Sequence, residues 1–378
     1  MEIVIVRPGD TLWGIAARRG VAVERLVSLN QLDDPARLVP GLALLVPGGG
    51  AEQRREIVVN AYAYPHLAPG VAREEFSHFS FFCPFSSPMT EEGTLETAED
   101  GELRTVAREA EVLPFLTVTN LGENGTFSSE LAHRLFTDPA AQERLFDAIL
   151  RTAEERRYGG VNFNLEYLYP FDREGYRQFL LRASALLHRE GLYLTTAIAP
   201  KVSDEQQGLL YTAHDYAAHG EAADWVVLMT YEWGYTYSEP RAVSPVNEIR
   251  RVLDYAVTAM PRGKILLGFS NYAYRWALPW RQGVPATVLS DTAAANLACA
   301  VGAEVHFDRA AQAPTFSYTD PAGVRQQVWF EDARSHRARF ALVEEYGLGG
   351  VSYWTVNHLN RAMLALQNEK FIAEKFPT

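Results

Sequence analysis

Cysteine is almost absent from this chain of 378 residues: Cys83 and Cys299 are the only two. That excludes a disulfide framework and a cysteine-based zinc cluster and leaves room for one bridge at most. Both lie in apolar runs, FFCPF and LACAV, so buried thiols are the expectation. No apolar run nears the roughly 20 residues of a membrane span. The start, MEIVIVRPGD, lacks the basic residues of a secretory signal, so a soluble chain outside ordinary secretion is expected. Lys/Arg-rich runs are missing too and the formal charge is −12, which argues against nucleic acid or an anionic membrane as partner. The nine histidines show no HExxH or other metal spacing, and His188, His214 and His219 are expected on helix surfaces or in loops. No GxSxG elbow is present, which disfavours a serine hydrolase. Neither metal nor organic cofactor is implied, and a monomer is expected.

What is present suffices for a large core. Hydrophobic residues make up 47% of the chain, within the globular range, and the length suits two or three domains or one barrel with an attachment. Residues 1–47 read as a βααβ unit. A β run (Glu2–Val6) and a turn at Pro8-Gly9-Asp10 precede a helical pattern from Leu12 to Arg19. A second helical pattern, Val23 to Leu29, leads to Asn30, and a β run, Ala43–Val46, closes the unit. Thr11 or Asp10 is suited to cap the first helix. Gly48-Gly49-Gly50 and AEQRRE behind it form a flexible joint over 48–56.

From Ile57 to the end, β runs alternate with helix-like stretches. The runs are IVVNAYAY (57–64), FSHFSFF (76–82), VLPFLTVTN (112–120), GGVNFNLEYL (159–168), LYLTTAIAP (192–200), WVVLMTYEW (225–233), KILLGFSNY (264–272) and GGVSYWTV (349–356). Eight alternations predict an α/β fold, a (β/α)8 TIM barrel over 57–378. The surplus length, about 271–330, contains AEVHFD, TFSYTD and RQQVWF and predicts a small α+β insertion after strand seven. A doubly wound open sheet is the alternative, but no glycine-rich phosphate loop follows the first strand.

One run is unusual. In GGVNFNLEYL, Val161, Phe163 and Leu165 alternate with Asn162, Asn164 and Glu166, so the polar three share a face. In a barrel that face is the lumen, where branched apolar residues normally pack and unsatisfied polar groups are costly. The C-terminal end of a barrel strand is also where barrel enzymes carry their active sites. Catalysis is the leading reading; an antiparallel strand with one wet face and a structural polar network are the alternatives.

Two resemblances bear on this. IVRPGDTLWGIAARRGVAVERLVSLNQLDDPARLVPGLALLVP resembles a LysM module over the module's entire length. It implies binding of N-acetylglucosamine-containing glycan in a groove between Gly9, Asp10, Thr11, Leu12 and Asn30, Gln31, Leu32. Nearly all of 57–378 resembles glycoside hydrolase family 18, whose DxxDxDxE strand is similar to GGVNFNLE. LMTYEWG, KILLGFSNYAYRW, QQVWFEDARS and GLGGVSYWTV resemble further family strands, in the version found in LysM-bearing spore-cortex-lytic N-acetylglucosaminidases. The resemblance implies substrate-assisted retention, in which the sugar's acetamido oxygen attacks and the protein supplies a proton rather than a nucleophile. Glu166 matches the general acid/base, Tyr231 the group that bonds the acetamido carbonyl, and Trp354 the floor under the sugar. Asn162, Met229, Glu232 and Tyr272 are placed by the same match among the substrate-binding residues.

The chain also departs from the family. Gly159 and Asn162 stand where many chitinases have Asp, and Glu232 replaces the Asp of MTYD. Asn164 replaces the Asp that orients the acetamide N–H and stabilises the cationic intermediate. It keeps an acceptor oxygen but brings no charge, an expected deficit of roughly 3–4 kcal/mol, about 10²- to 10³-fold in rate. The resemblance implies a peptidoglycan or chitin-like substrate and a setting in the spore or cell envelope of a spore-forming bacterium. The alternative is a barrel silenced at Asn164 that binds glycan or builds a spore coat.

Overall fold

The computed structural model describes residues 1–48 and 53–377; of the expected joint, residues 49–52 lie outside the described set. At the N-terminus, strands Glu2–Ile5 and Ala43–Val46 pair antiparallel around helices Leu12–Arg19 and Val23–Asn30. Thr11, not Asp10, caps the first helix, its hydroxyl accepting the Gly14 N–H at 3.1 Å. Asp10 instead accepts from the Arg7 N–H and pairs with Arg18.

Eight parallel strands then close into a barrel: Arg55–Ala63, Phe81–Pro84, Leu113–Thr119, Gly160–Asn164, Tyr193–Ile198, Trp225–Leu228, Ile265–Ser270 and Gly350–Trp354. Closure comes from the last strand pairing with the first, Gly350 opposite Val58 through Tyr353 opposite Ala61. A Cβ on Gly350 would lie 1.7 Å from the Val58 carbonyl oxygen, so the seam requires glycine there. The second strand starts later than its hydrophobicity suggests. Phe76–His78 forms a short 3-10 turn whose Phe76 is buried outside the barrel, and pairing begins only at Phe81. The seventh strand, Ile265–Ser270, falls within its expected run, and Ala273–Leu278 just beyond it belongs to the insertion.

That insertion is a five-stranded antiparallel sheet (Thr287–Leu289, Ala273–Leu278, Arg325–Trp329, Ala313–Thr319, His306–Asp308) with one helix, Asp291–Val301. Its apolar side merges with that of the N-terminal unit: Leu12, Ile15, Leu26, Leu42 and Leu44 share one core with Ala294, Ala298 and Phe316. Polar ties fasten the unit to the barrel as well as to the insertion. The Gln31 side chain accepts the Arg361 N–H at 2.8 Å and donates to the Leu359 carbonyl at 3.0 Å. Asn296 donates to the Gln31 carbonyl and accepts the Asp33 N–H, at 2.8 and 3.1 Å.

Strand alternation layers the lumen. At the bottom, Phe81 stacks on Phe115 at 4.2 Å, with Tyr193, Trp225 and Phe376 beside them. Above lies a polar belt: Asn60 donates to Ser352 at 2.8 Å, Tyr62 to the Asn162 carbonyl oxygen at 3.0 Å, and Asn162 to Thr195 at 2.9 Å. Outward residues Val161, Phe163 and Leu165 join the main core, where Phe163 meets Phe179 of helix Arg173–Arg189 at 5.0 Å. Cys83 and Cys299 are buried and free. His188 lies on a helix surface, but His214 and His219 are fully buried, contrary to the polar character that suggested an exposed place. A hydrogen bond holds each ring, from the Ala199 N–H to His214 Nδ1 and between His219 Nδ1 and Thr196, both at 2.9 Å, while His219 Nε2 has no partner among the described residues. No helix among the described residues is long and apolar enough to cross a membrane.

Candidate active site

The inward parity of the strands and of the residues just past their ends delivers Glu166, Met229, Tyr231, Tyr272 and Trp354 to the barrel mouth. Strand four ends at Asn164, and Glu166 follows in register two residues on. Strand six ends at Leu228, followed by Met229 and Tyr231 in the same alternation. Strand seven leads to Tyr272, and strand eight ends on Trp354. Space for Tyr231 is left by Gly268 on the next strand: a Cβ there would lie 2.9 Å from the tyrosine ring and 2.3 Å from the Leu228 carbonyl oxygen.

Glu166 is half-buried as a residue, and its carboxyl pKa is pushed up to about 7. Burial is the main cause and the negative charge of Glu232 adds to it, while a hydrogen bond with Asn164 pulls the other way. Asn164 is almost fully buried and its side-chain carbonyl oxygen has no hydrogen-bond partner among the described residues. The same holds for Asn60 Oδ1, Thr117 Oγ1 and Ser270 Oγ deeper in the lumen. The Tyr231 phenol is raised well above its ordinary pKa, by burial first and then by the charges of Glu166 and Glu232, so it remains a donor at any working pH.

An aromatic wall faces these groups. Tyr272 and Tyr274 both donate to Glu232 Oε1, the latter at 3.0 Å, and Tyr274 packs on Trp276. Glu232 is exposed as a residue, yet its carboxylate is tucked among these phenols; burial raises its pKa and their hydrogen bonds oppose the rise. Trp354 is held by three rings packed edge-on, Phe85 at 4.7 Å, Tyr62 at 5.3 Å and Tyr64 at 6.0 Å. Met229 packs between the lumen cluster and this wall. Tyr167 and Glu232, each next to a residue singled out above, have left-handed φ of 55° and 67°, a conformation that non-glycine residues hold only where their surroundings enforce it.

The structure therefore brings Glu166, Asn164, Tyr231, Glu232, Tyr272, Met229 and Trp354 to one mouth, with Asn162 a layer below. The residues expected in the N-terminal groove differ in exposure. Gly9, Asp10 and Thr11 stay at the surface, but Leu12 and Leu32 are buried in the core. The Asn30 amide is committed internally, donating to the Leu26 and Leu45 carbonyls and accepting the Leu45 N–H at 2.7–2.9 Å. Their side chains serve the fold, because a unit this small needs every apolar residue inside. Missed from the sequence were Tyr274 and Trp276, whose spacing with Tyr272 at every second residue was a usable sign, and Asn120 and His214, which bond the backbone around Glu166 and left no sign.

A closed parallel barrel with a carboxyl of raised pKa and aromatic walls at its C-terminal mouth is the architecture of a glycoside hydrolase. The family model "Glycosyl hydrolases family 18" matches residues 120–358 and the "LysM domain" model residues 4–47. The chain belongs to glycosyl hydrolase family 18 and carries a LysM module. It is 42% identical to the cortical fragment-lytic enzyme of Bacillus subtilis (strain 168), over 94% of either chain. Among solved structures it resembles the spore cortex-lytic enzyme SleL of Bacillus cereus, with 36% identity and a TM-score of 0.82 over 99% of this chain and 87% of that one. A chitinase from Chromobacterium violaceum is similar at 25% identity and a TM-score of 0.77, over 83% and 98% of the respective chains. LysM and family 18 together mark a hydrolase that engages N-acetylglucosamine-containing glycan.

Proposed function

We propose that the chain hydrolyses spore-cortex peptidoglycan after N-acetylglucosamine by substrate-assisted retention, in the spore envelope. The names of its Bacillus relatives support the polymer, and the buried Glu166 carboxyl beside the unpartnered Asn164 oxygen supports the mechanism. A group half-protonated near pH 7 can give a proton and take one back. In the first step the acetamido carbonyl oxygen bonds to C1 as the glycosidic bond breaks, and Glu166 transfers its proton to the leaving oxygen. In the second, water adds to C1 on the face the leaving group vacated. Its proton goes to Glu166 and the ring-closed acetamide reopens, so configuration is retained.

Tyr231 donates to the acetamido oxygen, and Asn164 accepts the acetamide N–H through the carbonyl oxygen that has no protein partner. Trp354 stacks under the sugar face. Glu232, braced by Tyr272 and Tyr274, lines the site with Met229, and Asn162 supports Asn164's layer through Tyr62 and Thr195. Gly9, Asp10 and Thr11 border the LysM glycan groove of residues 1–47, and the hydrolytic barrel begins with the strand Arg55–Ala63.

The test is turnover of cortex fragments by wild type, Glu166→Gln and Asn164→Asp. Product release should vanish in Glu166→Gln and rise about 10²- to 10³-fold in Asn164→Asp, where a charge near the cationic intermediate is restored. Glycan binding with no turnover by wild type would leave a carbohydrate-binding barrel instead.

A further inference from the structure

We propose that Asn120 and His214 are positioning residues for Glu166, two neutral side chains that replace the sheet once strand four has ended. The proposal rests on Glu166 being the proton donor. Pairing with strand three stops at Thr119 opposite Asn164, and pairing with strand five at Phe163 opposite Thr196. The peptide groups of Leu165 and Glu166 therefore leave the ladder before the catalytic side chain begins, and unpaired backbone at a buried mouth is costly.

Asn120, fully buried, meets that need on one side. Its oxygen accepts the Glu166 N–H at 3.0 Å, and its amide donates to the Glu166 carbonyl at 2.8 Å and to the Ser128 carbonyl at 3.0 Å. This is the two-bond exchange of a strand pair, made by one side chain. His214 acts from the other side. Because Nδ1 accepts the Ala199 N–H, the ring proton is on Nε2, which donates to the Leu165 carbonyl at 2.9 Å. Beyond Glu166, the Ser129 hydroxyl donates to the Tyr167 carbonyl.

Neutrality matters as much as geometry. A cation here would hold Glu166 as carboxylate and spoil it as an acid. Facing Glu166 are the titratable Glu232, Tyr62, Tyr167 and Tyr231, none cationic. His214 stays neutral because it is buried and because the Lys201 ammonium donates to its carbonyl at 3.2 Å; the rings of Tyr176 and His219 complete its surroundings.

The test compares Asn120→Ala, His214→Gln and His214→Leu with wild type and Glu166→Gln on cortex fragments, after circular dichroism has established folding. Asn120→Ala should lose about 10²-fold in kcat, the scale of an ångström's misplacement, with KM nearly unchanged. Its alkaline limb should move to lower pH as the loosened carboxyl regains water. His214→Gln, which keeps a donor and an acceptor, should retain more kcat than His214→Leu. A folded Asn120→Ala with wild-type kcat and pH profile overturns the proposal while Glu166→Gln stays inactive. An active Glu166→Gln would sink the proton-donor reading, and the positioning role with it. Should Asn120→Ala not fold, the two His214 variants decide alone: equal kcat and unmoved limbs overturn it.

Discussion

A carboxyl tuned for proton transfer near neutrality works against the fold that holds it. Glu166 has its pKa raised, so the folded state prefers the neutral acid and ionisation weakens folding. The penalty is absent below the carboxyl's ordinary pKa of about 4.5 and complete above about 7. A shift of that size corresponds to up to roughly 3 kcal/mol. Glu166→Gln, while abolishing turnover, should therefore raise the melting temperature relative to wild type at pH 8 and leave no gain at pH 4. Thermal unfolding of both proteins at the two pH values checks this. The same residue sets the rate profile of wild type: turnover should decline on the alkaline side with an apparent pKa of about 7, readable from kcat between pH 5 and 9.

At the scale of elements, the strands were legible where alternation was strict and blurred where it was not. Asn162, Asn164 and Glu166 announced their shared face because lumen and helix layer demand opposite polarity from successive residues. Phe76 misled because a buried aromatic outside the barrel reads like one in a strand, and 3-10 geometry leaves no mark in hydrophobicity alone. His214 and His219 misled because a polar ring hides well once a hydrogen bond holds it, and the bonding partners, Ala199 and Thr196, are remote from any local pattern. Gly268 showed nothing in the sequence, yet it makes room for Tyr231. Gly268→Ala should displace that ring and lower kcat/KM by about 10²-fold, with far-UV dichroism little altered; steady-state kinetics on cortex fragments measures it.

Across the whole molecule, the two modules were each readable and their union was not. Core shared by Leu12, Leu26 and Ala298, and the bonds of Gln31 and Asn296, depend on which surfaces meet, a fact no periodicity encodes. Asn296→Ala removes both of its contacts to the loop after the second LysM helix and leaves that loop's Gln31 carbonyl without its donor. It should lower stability by about 1–3 kcal/mol, measured by urea unfolding. On short oligosaccharides its turnover should match wild type.

A LysM module bolted to the insertion has little play. The sugar it grips and the bond cut at the barrel mouth then stand a constant number of residues apart along a glycan strand. A leashed module would sever at random and leave a smear of fragment lengths; this frame works as a gauge, and digests should gather into a few favoured sizes.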